Sequence, residues 1–206
     1  GNIYDDRADG VELNYGDKVN VMLAAGKADP GNSNQDFVAN SYAGGELGAI
    51  LGAVDLTAGY YNFKDINDKY SGIDNAIWFV GAGTTFGDFG LNAMYLKGDV
   101  SGDKNNEFAK DDDGWTAGLT WKGAEAAEAG TYGLFANYYD QGAQTYLAHT
   151  TDANSFVGEG FKGYGVGVNY TVAKNMVLTA VYYDTKSKLD SSDKDHRIWT
   201  DLTITF

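Results

Sequence analysis

Apolar and polar residues alternate in short segments along the whole chain. In the stretch GYGVGVNYTV, Tyr164 and Val166 fall on one side of an extended backbone and Gly165 falls on the other. A period of two is typical of a β-strand whose two faces meet different surroundings. The pattern predicts an all-β protein of eleven strands, at residues 10–16, 18–27, 40–51, 53–63, 75–87, 88–98, 114–122, 130–140, 162–173, 176–187 and 196–206.

The connections between these segments alternate between short and long. Short turns are predicted at residues 16–18, 51–54, 86–90, 122–130 and 172–175. Long polar loops are predicted at residues 27–36, 64–75, 98–114, 140–162 and 187–196. This order predicts an antiparallel up-and-down meander with its turns at one end and its loops at the other. Transmembrane β-barrels show this asymmetry, with short periplasmic turns and longer extracellular loops.

One face of the predicted strands is apolar, with small and aliphatic residues in the middle and aromatic residues towards the ends. The clearest aromatic pairs are Trp115 and Trp121, Tyr132 and Tyr138, and Tyr164 and Tyr170. Six residues of strand span about 20 Å, close to the roughly 25 Å apolar band that aromatic girdles flank in membrane barrels. We therefore predict that these six residues form aromatic girdles. A soluble all-β domain that binds a ligand remains the alternative fold.

The opposite face carries Gly, Asn, Thr and charged residues, which suits a water-filled lumen. The candidate lumen-facing residues are Glu12, Lys18, Glu46, Asp55, Lys122, Asp201 and Arg197. A lumen filled by a plug would call for bulky inward side chains, whereas Gly and Thr dominate this face in the seventh and ninth segments. One segment is ambiguous, because its alternation allows either Tyr182 or Tyr183 to face lipid.

Composition narrows the possible functions. The 206 residues include 28 Gly and 15 Tyr but one Pro and no Cys, which excludes disulfide bonds and thiolate chemistry within this chain. With 29 acidic and 15 basic residues, the net charge of −14 argues against a nucleic-acid partner. The two histidines, His149 and His196, lie in polar loops with no nucleophile positioned beside them. We predict no enzyme activity, no cofactor and no metal site.

The last strand ends abruptly on an aromatic residue. Phe206, Ile204 and Leu202 alternate with polar residues and resemble the C-terminal signature by which the barrel assembly machinery reads bacterial outer-membrane proteins. The first and last predicted strands run in the same direction, so they cannot close an antiparallel barrel on each other. We therefore expect at least one further strand upstream, with residues 1–206 forming the C-terminal part of one barrel domain.

Three stretches carry a family resemblance: YDDRADGVELNYGDKVNVMLAAGK at 4–27, GVGVNYTVAKNMVLTAVYYDTKSK at 165–188, and DLTITF at the end. The whole chain resembles the C-terminal part of a general diffusion porin of the bacterial outer membrane. It is most similar to the trimeric porins of diderm Firmicutes that carry an N-terminal surface-layer homology domain. The resemblance implies a sixteen-stranded barrel, a homotrimer, contact with membrane lipid and lipopolysaccharide, and a tether to peptidoglycan or another cell-wall polymer through that domain.

The resemblance also implies a function and a constriction. Such porins passively conduct ions and small hydrophilic solutes, and the loop after their fifth strand folds into the lumen. Residues 1–9 are similar to that loop, which would place Asp5, Asp6 and Arg7 at or near the narrowest point. Asp5 and Asp6 would then form its acidic side and face wall cations such as Lys18, Lys122 or Arg197. With the negative net charge, we expect a mild cation preference. The alternatives are a solvated loop at residues 1–9 and a structural or adhesive barrel with a closed lumen.

Overall fold

Eleven β-strands make up the regular structure of the computed structural model, which describes residues 2–4, 8–28, 39–66, 72–104, 110–147, 149, 156 and 158–206. The strands are β1 Ala8–Gly16, β2 Val19–Ala28, β3 Ala39–Leu51, β4 Val54–Lys64, β5 Asp74–Phe86, β6 Phe89–Ser101, β7 Asp113–Lys122, β8 Tyr132–Gln141, β9 Phe161–Ala173, β10 Met176–Ser187 and β11 Lys194–Ile204. Within these described residues, no helix is both long enough and apolar enough to cross a membrane.

The strands form one antiparallel sheet whose spatial order equals their order in the sequence. This confirms the predicted up-and-down meander of eleven strands. Each strand pairs only with its neighbours in sequence, so β1 and β11 each have a single partner among the described residues. Since successive strands alternate in direction, β1 and β11 run the same way. The two ends of the sheet therefore cannot pair antiparallel with each other.

The cross-strand register divides the sheet into two faces. The outer face contains Trp115 and Leu119, with Tyr95 opposite Trp115 and Leu91 opposite Leu119. The inner face contains the residues between them, such as Thr116. The register also decides the ambiguous segment, because Tyr182 pairs with the outer-face residue Val166, while Tyr183 is buried on the inner face.

Two rows of aromatic residues cross the outer face. The row nearer the long loops is Tyr60, Trp78, Tyr95, Trp115, Tyr138, Tyr164 and Tyr182. The row nearer the turns is Phe86, Phe89, Trp121, Tyr132 and Tyr170. Neighbouring rings touch, with centroids 5.0 Å apart for Trp115 and Tyr138 and 5.9 Å apart for Trp121 and Tyr132. On β5 to β10 the band between the rows carries aliphatic residues and a single Thr, without a charge.

The inner face differs between its two halves. The half nearer the turns carries mainly Gly, Asn and Thr, as the alternation predicts. The half nearer the loops holds an apolar cluster that includes Phe63, Ile77, Phe79 and Leu96, all nearly inaccessible to solvent. Part of the space above the inner-face glycines is occupied by rings, since a Cβ on Gly59 would overlap the ring of Phe79. The inner face is therefore less uniformly polar than the sequence predicts.

The long loops are tied together by a lysine. The Lys188 ammonium lies 2.8 Å from Asp111 and 2.7 Å from Asp140, which belong to two other segments of the loop end. Burial alone lowers the pKa of Lys188, but the hydrogen bonds to the two carboxylates outweigh that effect, so its pKa lies above the usual value. Lys188 consequently keeps its charge at neutral pH and joins two of the long connections to the loop end of β8.

Candidate functional site

The segment before β1 lies across the inner face. The Asn2 side-chain amide donates to the Thr116 hydroxyl on β7 at 3.2 Å, and the Asn2 carbonyl accepts from Gln141 at 3.1 Å. At the other end of the segment, the Tyr4 ring lies 6.1 Å from the ring of Phe63 on β4. Between them Ile3 is buried in the apolar cluster. Residues 2–4 thus bridge strands three apart in the sheet and narrow the space above it.

The loop after β8 folds onto the same face. The Gln144 carbonyl accepts a hydrogen bond from the Asn75 side chain at 3.0 Å, and the Gln144 side chain accepts from the backbone N–H of Val100 at 3.2 Å. The backbone N–H of Leu147 donates to the Ile3 carbonyl at 2.9 Å. Two segments that are distant in sequence therefore support each other over β5 to β7.

A cavity of about 310 Å³ remains beside these segments, at the middle of the inner face. Glu12 on β1 and Glu46 on β3 contribute carboxylates to its wall, and the two strands flank β2. The Tyr61 hydroxyl donates to Glu46 at 2.7 Å, and the Asn14 side chain donates to Glu12 at 2.6 Å. These hydrogen bonds hold two negative groups facing this cavity. Such fixed charges attract cations and repel anions.

The other predicted acids lie on the inner face but away from this cavity. Asp55 pairs with Gly83 near the turn end of β4, and Asp201 pairs with Thr179 on β10. The Thr203 hydroxyl donates to Asp201 at 2.8 Å. Together with Asp195, which the sequence analysis did not select, they extend the negative charge along the inner face.

The predicted cations are not brought together. Lys18 lies in the turn between β1 and β2. Arg197 is on the inner face of β11, where its guanidinium pairs with Asp195 at 3.1 Å. Lys122 was predicted to face the lumen, but its ammonium lies 4.8 Å from the centre of the outer-row Trp121 ring and 5.2 Å from that of Tyr132. The left-handed backbone at Lys122, with φ of 58°, accompanies this placement.

The predicted constriction residues Asp5, Asp6 and Arg7 lie outside the described residues. Their neighbours at positions 2–4 are described, and those lie on the inner face.

All six predicted girdle residues lie on the outer face, three in each row. The sequence analysis missed five further aromatic residues of these rows, Tyr60, Trp78, Tyr95, Phe86 and Phe89. The alternation of inward and outward positions along β4 to β6 could have assigned them to the same face. In the last strand, Leu202 and Ile204 also face outward and are exposed, in line with Leu178 and Met176 of β10. Phe206, two residues beyond β11, is fully exposed.

Among the described residues, no group of three or more His, Asp or Glu side chains could hold a metal ion. The site is a narrowed, charged space over the inner face of the sheet. The part of the chain that the structure describes places no cluster of metal ligands there.

Comparison with known proteins decides the family. The sequence profile of the Gram-negative porins matches residues 10–196, most of the chain. This chain belongs to the Gram-negative porin family. The family places this porin in the bacterial outer membrane.

A solved structure described as an anion-selective porin from Comamonas acidovorans has the same fold, with a TM-score of 0.53 and 14% sequence identity. The match covers 94% of this chain and 53% of that one, so the chain spans about half the length of its structural neighbour. No protein with a curated description matches this porin.

Proposed function

We propose that this porin passively conducts ions and small hydrophilic solutes across the outer membrane, with a mild preference for cations. The supporting observation is the contrast between the two faces. The outer face presents an uncharged band between two aromatic rows, as a lipid-facing surface requires. The inner face carries polar and charged groups around a cavity that inward-folded segments narrow without filling.

The cation preference follows from the charges that the register assigns to the inner face. The acids there are Glu12, Glu46, Asp55, Asp195 and Asp201. Among the strand residues that the structure describes, the basic side chain that remains on this face is Arg197, and it pairs with Asp195. The anion selectivity in the description of the structural neighbour belongs to that protein. Here the fixed charge along the proposed path is negative, which concentrates cations and excludes anions.

Planar-bilayer recording of the full-length protein under a salt gradient tests both parts of the proposal. We expect discrete, stable conductance steps and a reversal potential on the cation-selective side. Replacing Glu12→Gln and Glu46→Gln together should lower the cation-to-anion permeability ratio about two- to threefold, because each carboxylate lies within a Debye length of the permeating ion. Asp99→Asn, a charge removal on the outer face of β6, should leave the ratio unchanged.

Two outcomes would contradict the proposal in different ways. If the double variant shows conductance steps with unchanged selectivity, the protein is a pore, but Glu12 and Glu46 do not determine its selectivity. The absence of steps from folded, inserted protein would favour a structural or adhesive barrel with a closed lumen. The apolar cluster beneath residues 2–4 is the feature that would support such closure.

Several partners belong to the proposal through the family resemblance. We propose a homotrimer, contact with lipid and lipopolysaccharide, recognition of the C-terminal strand by the barrel assembly machinery, and a tether to peptidoglycan through a domain outside this chain. The exposed outward side chains of Leu202, Ile204 and Phe206 support recognition of the last strand. Cross-linking of the native outer membrane would show trimers and cell-wall attachment directly.

A further inference from the structure

Aromatic rings and carboxylates share the wall of the inner-face cavity. Glu12 and Glu46 supply the carboxylates, and the rings that line it include those of Tyr42, Tyr61, Phe63 and Phe79. The centre of the Phe63 ring lies 6.3 Å from that of Tyr42 and 6.2 Å from that of Tyr61. The nearly parallel rings of Tyr61 and Phe79 lie 6.4 Å apart. These spacings are typical of interacting aromatic pairs, and we call the four rings the inner aromatic cluster.

Two glycines let this cluster extend towards Glu46 on β3. Gly44 on β3 is opposite Tyr61, and a Cβ at Gly44 would overlap the Tyr61 ring. Gly59 on β4 lies in register between Glu46 and Phe79, and a Cβ there would overlap the Phe79 ring. Each ring therefore lies over a glycine of the strand next to its own, on the side that faces β3. The apolar wall and the carboxylate of Glu46 thus belong to one surface.

This lining suits an organic cation better than a metal ion. Mg²⁺ and Ca²⁺ take six or more oxygen ligands, which a wall made largely of aromatic rings does not offer. An organic ammonium ion suits both parts of the wall. Its N–H groups form charge-assisted hydrogen bonds with carboxylates, its charge is attracted to ring faces, and its carbon atoms are removed from water.

We propose that the cavity is a binding subsite for small organic ammonium ions that carry an aromatic or aliphatic group. The ammonium lies at Glu12 and Glu46, and the apolar group packs on the inner aromatic cluster. The volume of about 310 Å³ is near the lower end of the range for small-molecule sites, which suits a solute with a single ring. The inference rests on the conducting path proposed above, and it adds that this class of cation is held within that path.

Three related solutes test the subsite through the single-channel current of the full-length protein in potassium chloride. Phenethylammonium has a ring and a charge, ethylammonium has the charge alone, and 2-phenylethanol has the ring alone. We expect phenethylammonium to block the current with an apparent affinity about tenfold higher than that of ethylammonium, because it adds the ring contacts. We expect its affinity to exceed that of 2-phenylethanol by about tenfold or more, because the alcohol cannot pair with the carboxylates. This comparison needs no variant.

Paired variants locate the subsite. E12Q/E46Q should weaken the block by phenethylammonium about tenfold. The matched control D55N/D201N removes the same charge from the inner face away from the cavity, and it should weaken the block less than about threefold.

A second pair tests the rings. F79L should weaken the block about fivefold and reduce the preference for phenethylammonium over ethylammonium. Its control is F135L, which removes an inner-face ring of β8 that does not line the cavity. F135L should weaken the block less than about twofold.

Calorimetric titration of phenethylammonium into the folded protein in detergent separates the subsite from the pore. Binding that E12Q/E46Q weakens would support the subsite even if the protein did not conduct. Conduction without measurable binding would overturn the subsite and leave the pore. Equal block by phenethylammonium and ethylammonium would also overturn it, since charge alone would then explain the effect, and so would equal losses in E12Q/E46Q and D55N/D201N.

Discussion

Gly98 shows how one residue determines the position of a loop. It lies on the inner face of β6, and the Gln144 backbone carbonyl occupies the space where any side chain would begin. The neighbouring loop can therefore descend onto the sheet and form its hydrogen bonds to Asn75 and Val100. Alternation alone marks Gly98 as an inner-face residue, but it does not indicate which backbone segment needs the vacant side-chain position.

Gly98→Ala should push the loop at residues 142–147 away from the inner face, because the conflict is with backbone rather than with a flexible side chain. We expect a loss of about 1–3 kcal/mol in the free energy of unfolding and a larger single-channel conductance. The control is Gly83→Ala on β5, where the nearest atom to a new Cβ is 3.6 Å away. Equal effects of the two substitutions would contradict this role of Gly98.

The strands themselves were predictable because each has two different surroundings. The segment predicted at 162–173 is observed as Phe161–Ala173, and the one predicted at 53–63 as Val54–Lys64. The inward loop after β8 was not predictable, since a connection without periodicity gives no indication of where it packs. The inner-face rings of Tyr61 and Phe79 were missed for a related reason, because a few large residues among Gly and Thr do not disturb the average polarity of that face.

The two faces of β7 predict different losses of stability for the same substitution. Leu119 lies on the outer face between the aromatic rows, so Leu119→Arg should cost about 2 kcal/mol of stability in a bilayer, between the values for the midplane and the interface. Thr120→Arg, one residue along on the inner face, should cost less than about 1 kcal/mol. Urea unfolding in lipid vesicles measures both. A similar cost at the two positions would argue against lipid contact on the outer face.

At the scale of the whole molecule, the sheet is an open set of strands with two edges of the same direction. An odd number of strands cannot close into a barrel with antiparallel pairing throughout, and unpaired strand edges are costly in lipid. We therefore propose that further strands of the full protein lie between β11 and β1, in agreement with the longer chain of its structural neighbour. The odd number of strands in this chain could be predicted from the sequence. The number of additional strands could not.

The central claim is that this sheet separates lipid from a water-filled path, and a cysteine scan tests it most directly. The 206 residues contain no cysteine, so single cysteines can be placed at Leu91, Asn92, Leu119 and Thr120, which are all exposed. They would be introduced into full-length protein free of other cysteines, and the current recorded while a charged, water-soluble thiol reagent is added.

Cysteines at the inner-face positions 92 and 120 should react and reduce the current, while those at the outer-face positions 91 and 119 should remain unreactive. Reaction at all four positions, or reaction at 92 and 120 without any change in current, would contradict the account.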